Sequence, residues 1–317
     1  MKAPFSGVSS IAGLASALIL ALGLSSRASA DEEKPVAYVP VPPYAFVLEK
    51  LAGDLIEVRT ICNEGDDCHN YSPSPRQLAR ITKANFLFSG ELGFEGGFFV
   101  AVGDGKSGPV PIDLLANLDL LEGSCDICLS TDGHTEGEAE EHADHHHDHE
   151  DLKDPHVWLS PSMLKQQAVT ITSELKKHFG EEEGVVLDQN LAALTAELDE
   201  IDKELRETLA SAKGSKFYVY HGAFAYFAAD YGLEQVAIEI GNQKPTPKQL
   251  AKIATQAQED DVTVVFVQPQ FDQSSARSLA SAIGGEVAEL DPLSRDVFAN
   301  LRSIAKAIAA TAAGDQS

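Results

Sequence analysis

An α/β architecture of two similar lobes, each a small parallel sheet flanked by helices and joined by one long rigid linker helix, is predicted by three features of this 317-residue sequence. Short apolar runs alternate with helical stretches, a pattern of parallel sheets buried on both faces. A decapeptide occurs twice: "SPSPRQLARI" at 72–81 and "KPTPKQLAKI" at 244–253 agree at six of ten positions, and three others are Ser/Thr or Arg/Lys exchanges. Between the copies, Leu187, Leu191, Leu194, Leu198, Ile201, Leu205 and Leu209 recur every three or four residues, with no Pro or Gly from 185 to 213. That stripe predicts one amphipathic helix of about 28 residues, roughly 40 Å long. A coiled-coil dimer is the alternative reading of the same stripe.

The elements follow in chain order. Lys2 gives a positive start, residues 3–26 carry no charge, 11–24 are almost wholly apolar, and "RASA" sets small residues at 28 and 30 before "DEE". Residues 1–30 therefore read as a cleavable secretory signal peptide, the apolar run being too short to span a bilayer. The mature chain is expected from about Asp31, soluble and periplasmic. With no cysteine at the cleavage point, lipid anchoring is not indicated. The N-terminal lobe, 31–180, holds the runs "VAYVPV", "IEVRTI", "NFLFSG" and "PVPID". Within it, 123–151 is rich in Glu, Asp, His and Gly with almost nothing apolar after Leu129, and is expected to be a flexible loop. The linker helix occupies 181–213. The C-terminal lobe, 214–317, holds "KFYVYH", "VAIEI", "VTVVFVQ" and "VAELDPL". In both decapeptides a Ser or Thr stands before Pro (Ser74-Pro75, Thr246-Pro247), an N-cap followed by the residue best suited to the first helical position.

Removing the first thirty residues leaves 287, enough for two ordinary domains. It also removes Lys2 and Arg27, taking the net charge from −25 to about −27. So acidic a chain is repelled by nucleic acid and anionic membranes and attracts cations. Its four cysteines, Cys62, Cys68, Cys125 and Cys128, allow three disulfide pairings in an oxidising compartment. The favoured one is local, Cys62–Cys68 and Cys125–Cys128. The C-x-x-C could otherwise be redox-active or bind metal, although no second C-x-x-C completes a zinc site.

Ten histidines divide into three groups. His134, His142, His145, His146, His147 and His149 lie in the acidic run, where weak, auxiliary metal binding is expected. His178 sits near a helix end beside two lysines and is assigned no role. His69, His156 and His221 fall at strand or loop ends, where α/β lobes present binding residues. Asp291, at the end of the last apolar run, is the fourth candidate. Three imidazoles with a carboxylate form a borderline-soft set suited to Zn²⁺.

The motifs around these residues go further. "HNYSPSP" at 69–75, "DPHVWL" at 154–159 and "HGAF" at 221–224 stand in order, together with "GELGFEGG" at 90–97, "KPTPKQL" at 244–250 and "LDPLSRD" at 290–296. Over essentially the whole mature length the chain resembles the periplasmic solute-binding proteins of zinc and manganese ABC uptake transporters. The acidic histidine run before "DPH" resembles the zinc branch. The resemblance implies that His69, His156, His221 and Asp291 hold the metal in the cleft between the lobes. It implies Zn(II) as the transported ligand, a permease with a cytoplasmic ATPase as partner, no catalysis and a monomer. His221 at the third position goes with zinc, where manganese proteins carry Glu, and a third imidazole raises preference for the softer ion. The chain departs from the family pattern at Cys68, Ser72 and Gly222. A Cys62–Cys68 bond would stiffen the His69 loop where the family uses proline. Alternatives are uptake of manganese or another divalent metal, a zinc store or adhesin, and a zinc hydrolase. The last is disfavoured because no H-E-x-x-H is present and no general base stands beside a ligand.

Overall fold

All eight apolar runs become strands: β1 (Val36–Val39), β2 (Glu57–Thr60), β3 (Phe86–Ser89), β4 (Val110–Asp113), β5 (Lys216–Val219), β6 (Glu234–Ala237), β7 (Val264–Val267) and β8 (Glu286–Glu289). They form two four-stranded sheets of matching order, β2-β1-β3-β4 and β6-β5-β7-β8, and every pairing is parallel. The computed structural model describes residues 33–95, 108–122, 153–240 and 243–314. The expected signal peptide, the Cys125–Cys128 pair and the run from His134 to His149 lie outside the described residues.

Burial on both faces holds only for the inner strands. β1, β3, β5 and β7 are almost wholly buried, whereas edge strands β2 and β8 contain no fully buried residue. An inner strand has neighbours on both sides and helices above and below. An edge strand opens one side to water, so its polar residues stay.

The helices are α1 (Pro42–Ala52), α2 (Pro75–Ile81), α3 (Pro161–Leu175), α4 (Glu181–Thr208), α5 (Ala225–Tyr231), α6 (Pro247–Glu259), α7 (Ser274–Ile283) and α8 (Val297–Gly314). The repeat marks equivalent places: α2 links β2 to β3, and α6 links β6 to β7. Ser74 and Thr246 cap them, each accepting from the backbone N–H of the Gln three residues on. The glutamines then diverge. Gln249 closes a capping box with Thr246. Gln77 instead donates to the Ile61 carbonyl at 2.7 Å and accepts from the Tyr71 hydroxyl at 2.9 Å, fastening both ends of the segment that carries His69.

The long stripe forms α4, 28 residues or about 42 Å at 1.5 Å per residue. Glu181, Glu182 and Glu183 stand in its first turn, where the helix dipole favours acids. Leu187, Leu194, Leu198, Ile201 and Leu205 are buried against α1, α3 and α8. Each such side chain contributes about 1.5–3 kcal/mol relative to exposure. The chain's own helices thus cover the face that a coiled-coil partner would need. Among the described residues no helix is long and apolar enough to cross a membrane.

Candidate metal centre

Each of the three candidate histidines is fixed at its backbone before its ring is considered. His69 follows β2 in a segment closed by the Cys62–Cys68 disulfide, whose Cα atoms lie 5.9 Å apart. The Asp67 carboxylate accepts from the His69 backbone N–H at 3.1 Å, and Glu64, inside the disulfide ring, accepts from the Arg295 backbone N–H of the second lobe at 2.7 Å. His156 precedes a 3-10 turn, Val157–Leu159, whose three residues are buried. Trp158 of that turn donates its indole N–H to the Pro292 carbonyl at 2.7 Å, tying it to the second lobe. His221 comes two residues after β5. Its N–H donates to the side-chain carbonyl of buried Gln268 at 3.0 Å, and the Gln268 amide donates back to the His221 carbonyl at 3.1 Å.

The rings converge through Nε2. His69 Nε2 lies 3.3 Å from His156 Nε2, which lies 3.2 Å from His221 Nε2. A tetrahedral zinc with Zn–N of about 2.0–2.1 Å holds its nitrogens about 3.3–3.4 Å apart. The spacing is therefore that of ligands around a single ion. Three lone pairs so close together otherwise repel.

Two carboxylates set the tautomers. His156 Nδ1 donates to Asp154 at 2.7 Å, and His221 Nδ1 donates to Glu239. Both acids are buried. A proton held on Nδ1 leaves the Nε2 lone pair free for metal, and the carboxylate raises ring basicity. Burial, followed by repulsion from the His156 and His221 rings, pushes the His69 imidazole down to about 2, so the His69 ring stays neutral.

The cavity around the rings measures about 20 Å³ and is walled by Leu92, Trp158, Phe271, Pro292 and Leu293. A space of that size takes one ion or water and no organic substrate.

Asp291 does not join the cluster. Its Oδ1 accepts from the Gln270 amide at 2.7 Å and from the Leu293 N–H at 2.9 Å, whereas the group whose ligand atoms all lie within 4.8 Å is His69, His156 and His221. Asp154 and Glu239 carried no role in the sequence reading. Asp154 was in plain view two residues before His156. Glu239 is a lone acid inside the apolar run "VAIEI", which is the signal that could have singled it out. His178 packs its ring against Phe86, 5.4 Å between centroids, away from the cluster.

Two parallel-sheet lobes on a shared helix, with three imidazoles meeting between them, define a metal-capturing solute-binding protein. The chain belongs to the family described as zinc-uptake complex component A, periplasmic, whose profile matches residues 38–311. It is 31% identical to the high-affinity zinc uptake system protein ZnuA of Bacillus subtilis (strain 168) over 283 residues, 87% of this chain and 85% of that one. It is 29% identical to a putative metal-binding protein of Chlamydia trachomatis serovar D over 296 residues, 92% of this chain and 97% of that one. A crystal structure of ZnuA superposes with a TM-score of 0.77 at 32% identity, covering 88% of this chain and 100% of the other.

Proposed function

We propose that this protein captures Zn(II) in the periplasm and delivers it to an ABC permease for import, without catalytic turnover. The observation that carries this reading is the convergence of three imidazole nitrogens within 4.8 Å of one another, two of their separations matching the edge of a zinc tetrahedron. His69, His156 and His221 are the ligands. Asp291 takes the fourth position by exchanging Gln270 for the ion; Gln270, Pro292 and Leu293, its neighbours, already line the cavity. Three imidazoles support zinc over manganese, the runner-up, which prefers harder oxygen donors. The hydrolase alternative loses support because a 20 Å³ cavity leaves no room for a substrate beside the ion.

Metal analysis of the protein isolated from its own compartment tests the cargo: about one zinc per chain is expected, and predominant manganese overturns the assignment. Alanine at His69, His156 or His221 should weaken zinc binding by well over tenfold, more than about 1.4 kcal/mol. His178→Ala should leave it unchanged. Equal weakening by His178→Ala and His156→Ala would contradict the ligand assignment.

A further inference from the structure

The ligand set uses Asp291 and leaves its partner, Gln270, without a task. Gln270 lines the cavity of about 20 Å³ together with the three histidines. Its amide donates to Asp291 Oδ1 at 2.7 Å. Its carbonyl oxygen, Oε1, is closed off from solvent and has no hydrogen-bond partner among the described residues.

Two other glutamines in the loops of the site show what a structural glutamine looks like. Gln268 is bonded through both ends of its amide to the His221 backbone. Gln77 is bonded through both ends to residues on either side of His69, the Ile61 carbonyl and the Tyr71 hydroxyl. Both act as braces, satisfied twice and unable to turn. Gln270 is held through one end only, by the residue proposed as fourth ligand. A buried carbonyl left unpaired opposes folding, and such groups are rare in folded proteins. Bracing Asp291 does not account for it. Asp291 Oδ1 already accepts from the Leu293 N–H at 2.9 Å, and the Asp291 carbonyl accepts from Asn300 Nδ2 at 2.7 Å, so the strand end is fixed without Gln270.

Topology brings the pair together. β7 and β8 are parallel neighbours, with Val267 opposite Glu289. Gln270 comes three residues after β7 and Asp291 two after β8, so both stand beyond the C-terminal ends of adjacent strands, where α/β lobes present binding residues. The same short loop reaches His221. Gln268 holds the His221 backbone, and the Phe271 ring lies 4.8 Å from the His221 ring between centroids. One loop thus supports a ligand histidine and withholds the carboxylate beside it.

We infer that Gln270 is a positioning residue that competes with the ion for Asp291, weakening capture and speeding release of the cargo. This rests on the proposed site, in which Asp291 completes the coordination. A hydrogen bond from an amide to a carboxylate is stronger than one between neutral groups. An ion that binds Asp291 must displace that bond, and an ion that leaves lets it re-form. The amide is free to swing because nothing holds its other end. A carrier has to give up what it captures, and three imidazoles with an unopposed carboxylate would hold zinc longer.

The test compares Gln270→Ala, Gln270→Leu, Asp291→Ala and the Gln270→Ala/Asp291→Ala double variant with wild type in the full chain. Competition with a chromophoric chelator reads zinc affinity, stopped-flow transfer of zinc to excess chelator reads release, and the metal-free melting temperature reports folding. Gln270→Ala is expected to bind zinc about tenfold more tightly, a gain of about 1.4 kcal/mol, and to release it more slowly by a similar factor. Misfolding cannot imitate that result. Gln270→Leu keeps the bulk of the side chain without the donor and should shift affinity in the same direction. Asp291→Ala should weaken binding, and adding Gln270→Ala to it should change nothing further, because the two act as one unit. Zinc affinity at or below that of wild type in both single Gln270 variants overturns the inference and leaves the zinc site standing. An effect of Gln270→Ala that persists in the Asp291→Ala background overturns it too, and a loss there makes Gln270 itself a ligand. Wild-type affinity in Asp291→Ala overturns the fourth ligand and the inference together.

Discussion

Glu239 fixes the ring on which the proposed ligand role of His221 depends. Its carboxylate is 3% exposed and its partner ring 2%, so the contact is shielded from water and from salt. Removing it frees the ring to rotate and to place its proton on Nε2, the nitrogen that faces His156. Glu239→Ala is expected to weaken zinc binding by up to about 100-fold, roughly 2.7 kcal/mol, and Glu239→Gln, whose amide oxygen still accepts from Nδ1, by nearer tenfold. Competition against a chromophoric chelator measures both, and a wild-type affinity in Glu239→Ala would remove its assigned role. At this scale what was legible is what side-chain type and position decide, and the structure brings the three predicted imidazoles together. His69, His156 and His221 were legible because imidazoles at loop ends have few structural reasons to be there. Direction was not legible. Asp291 stands at an equally suitable strand end, yet its oxygen is taken by the Leu293 N–H two residues on and by Gln270. Glu239 looked like part of an apolar run because its neighbours face the core and it faces a ring.

Strands and caps, one scale up, were legible because each rests on a local cause: apolar runs for the sheets, Ser-Pro and Thr-Pro for α2 and α6. The use of a shared residue was not. Gln77 and Gln249 are identical in the repeat, but only Gln77 has the Ile61 carbonyl and the Tyr71 hydroxyl within reach. The turn after β3 presents a similar case. Glu95 folds back so that its carboxylate accepts from Ser89 Oγ at 2.7 Å and from the N–H groups of Gly90 at 3.0 Å and Leu92 at 3.3 Å. A Cβ at Gly90 would stand 3.0 Å from the Tyr44 ring, so a larger residue there needs that buried ring to shift by a few tenths of an ångström. Burial outweighs those donors and pushes Glu95 up to about 7 from 4.5. The sign follows from linkage. Between these values the folded state holds a proton that the unfolded state has released, so stability falls as pH rises through that window, and the loss is complete above about 7. Glu95→Gln mimics the protonated acid, and its NH₂ can donate to Ser89 Oγ as a carboxylic acid would. Calorimetry of the metal-free protein should find the variant more stable than wild type at pH 8, by on the order of 2–3 kcal/mol, and equal to it at pH 4. A gap that does not change with pH would mean that Glu95 is ionised in the fold.

At the scale of the whole molecule, the three-imidazole cluster is assembled from residues far apart in sequence. Its parts are held by the disulfide and Gln77 at His69, by the buried turn at His156, and by Gln268 at His221. The helix α4 and the contacts Trp158–Pro292 and Glu64–Arg295 hold the lobes that supply them. Binding there needs little further ordering. The six histidines from His134 to His149 are set among acids and small residues. Chelation by such a stretch costs about 1–2 kcal/mol of backbone entropy for every residue it fixes, which makes its sites weaker and more varied. The stretch is also separable, because Glu122 and Lys153, on either side of it, pair in an antiparallel bridge. Deleting Gly133 to Glu150 should therefore abolish the weak zinc sites, leave one tight site with its affinity intact, and leave the metal-free melting temperature within a few degrees of wild type. Isothermal titration of zinc into both proteins separates the two kinds of site. Loss of the tight site on deletion would mean that the run supplies an essential ligand and that the imidazole cluster does not suffice.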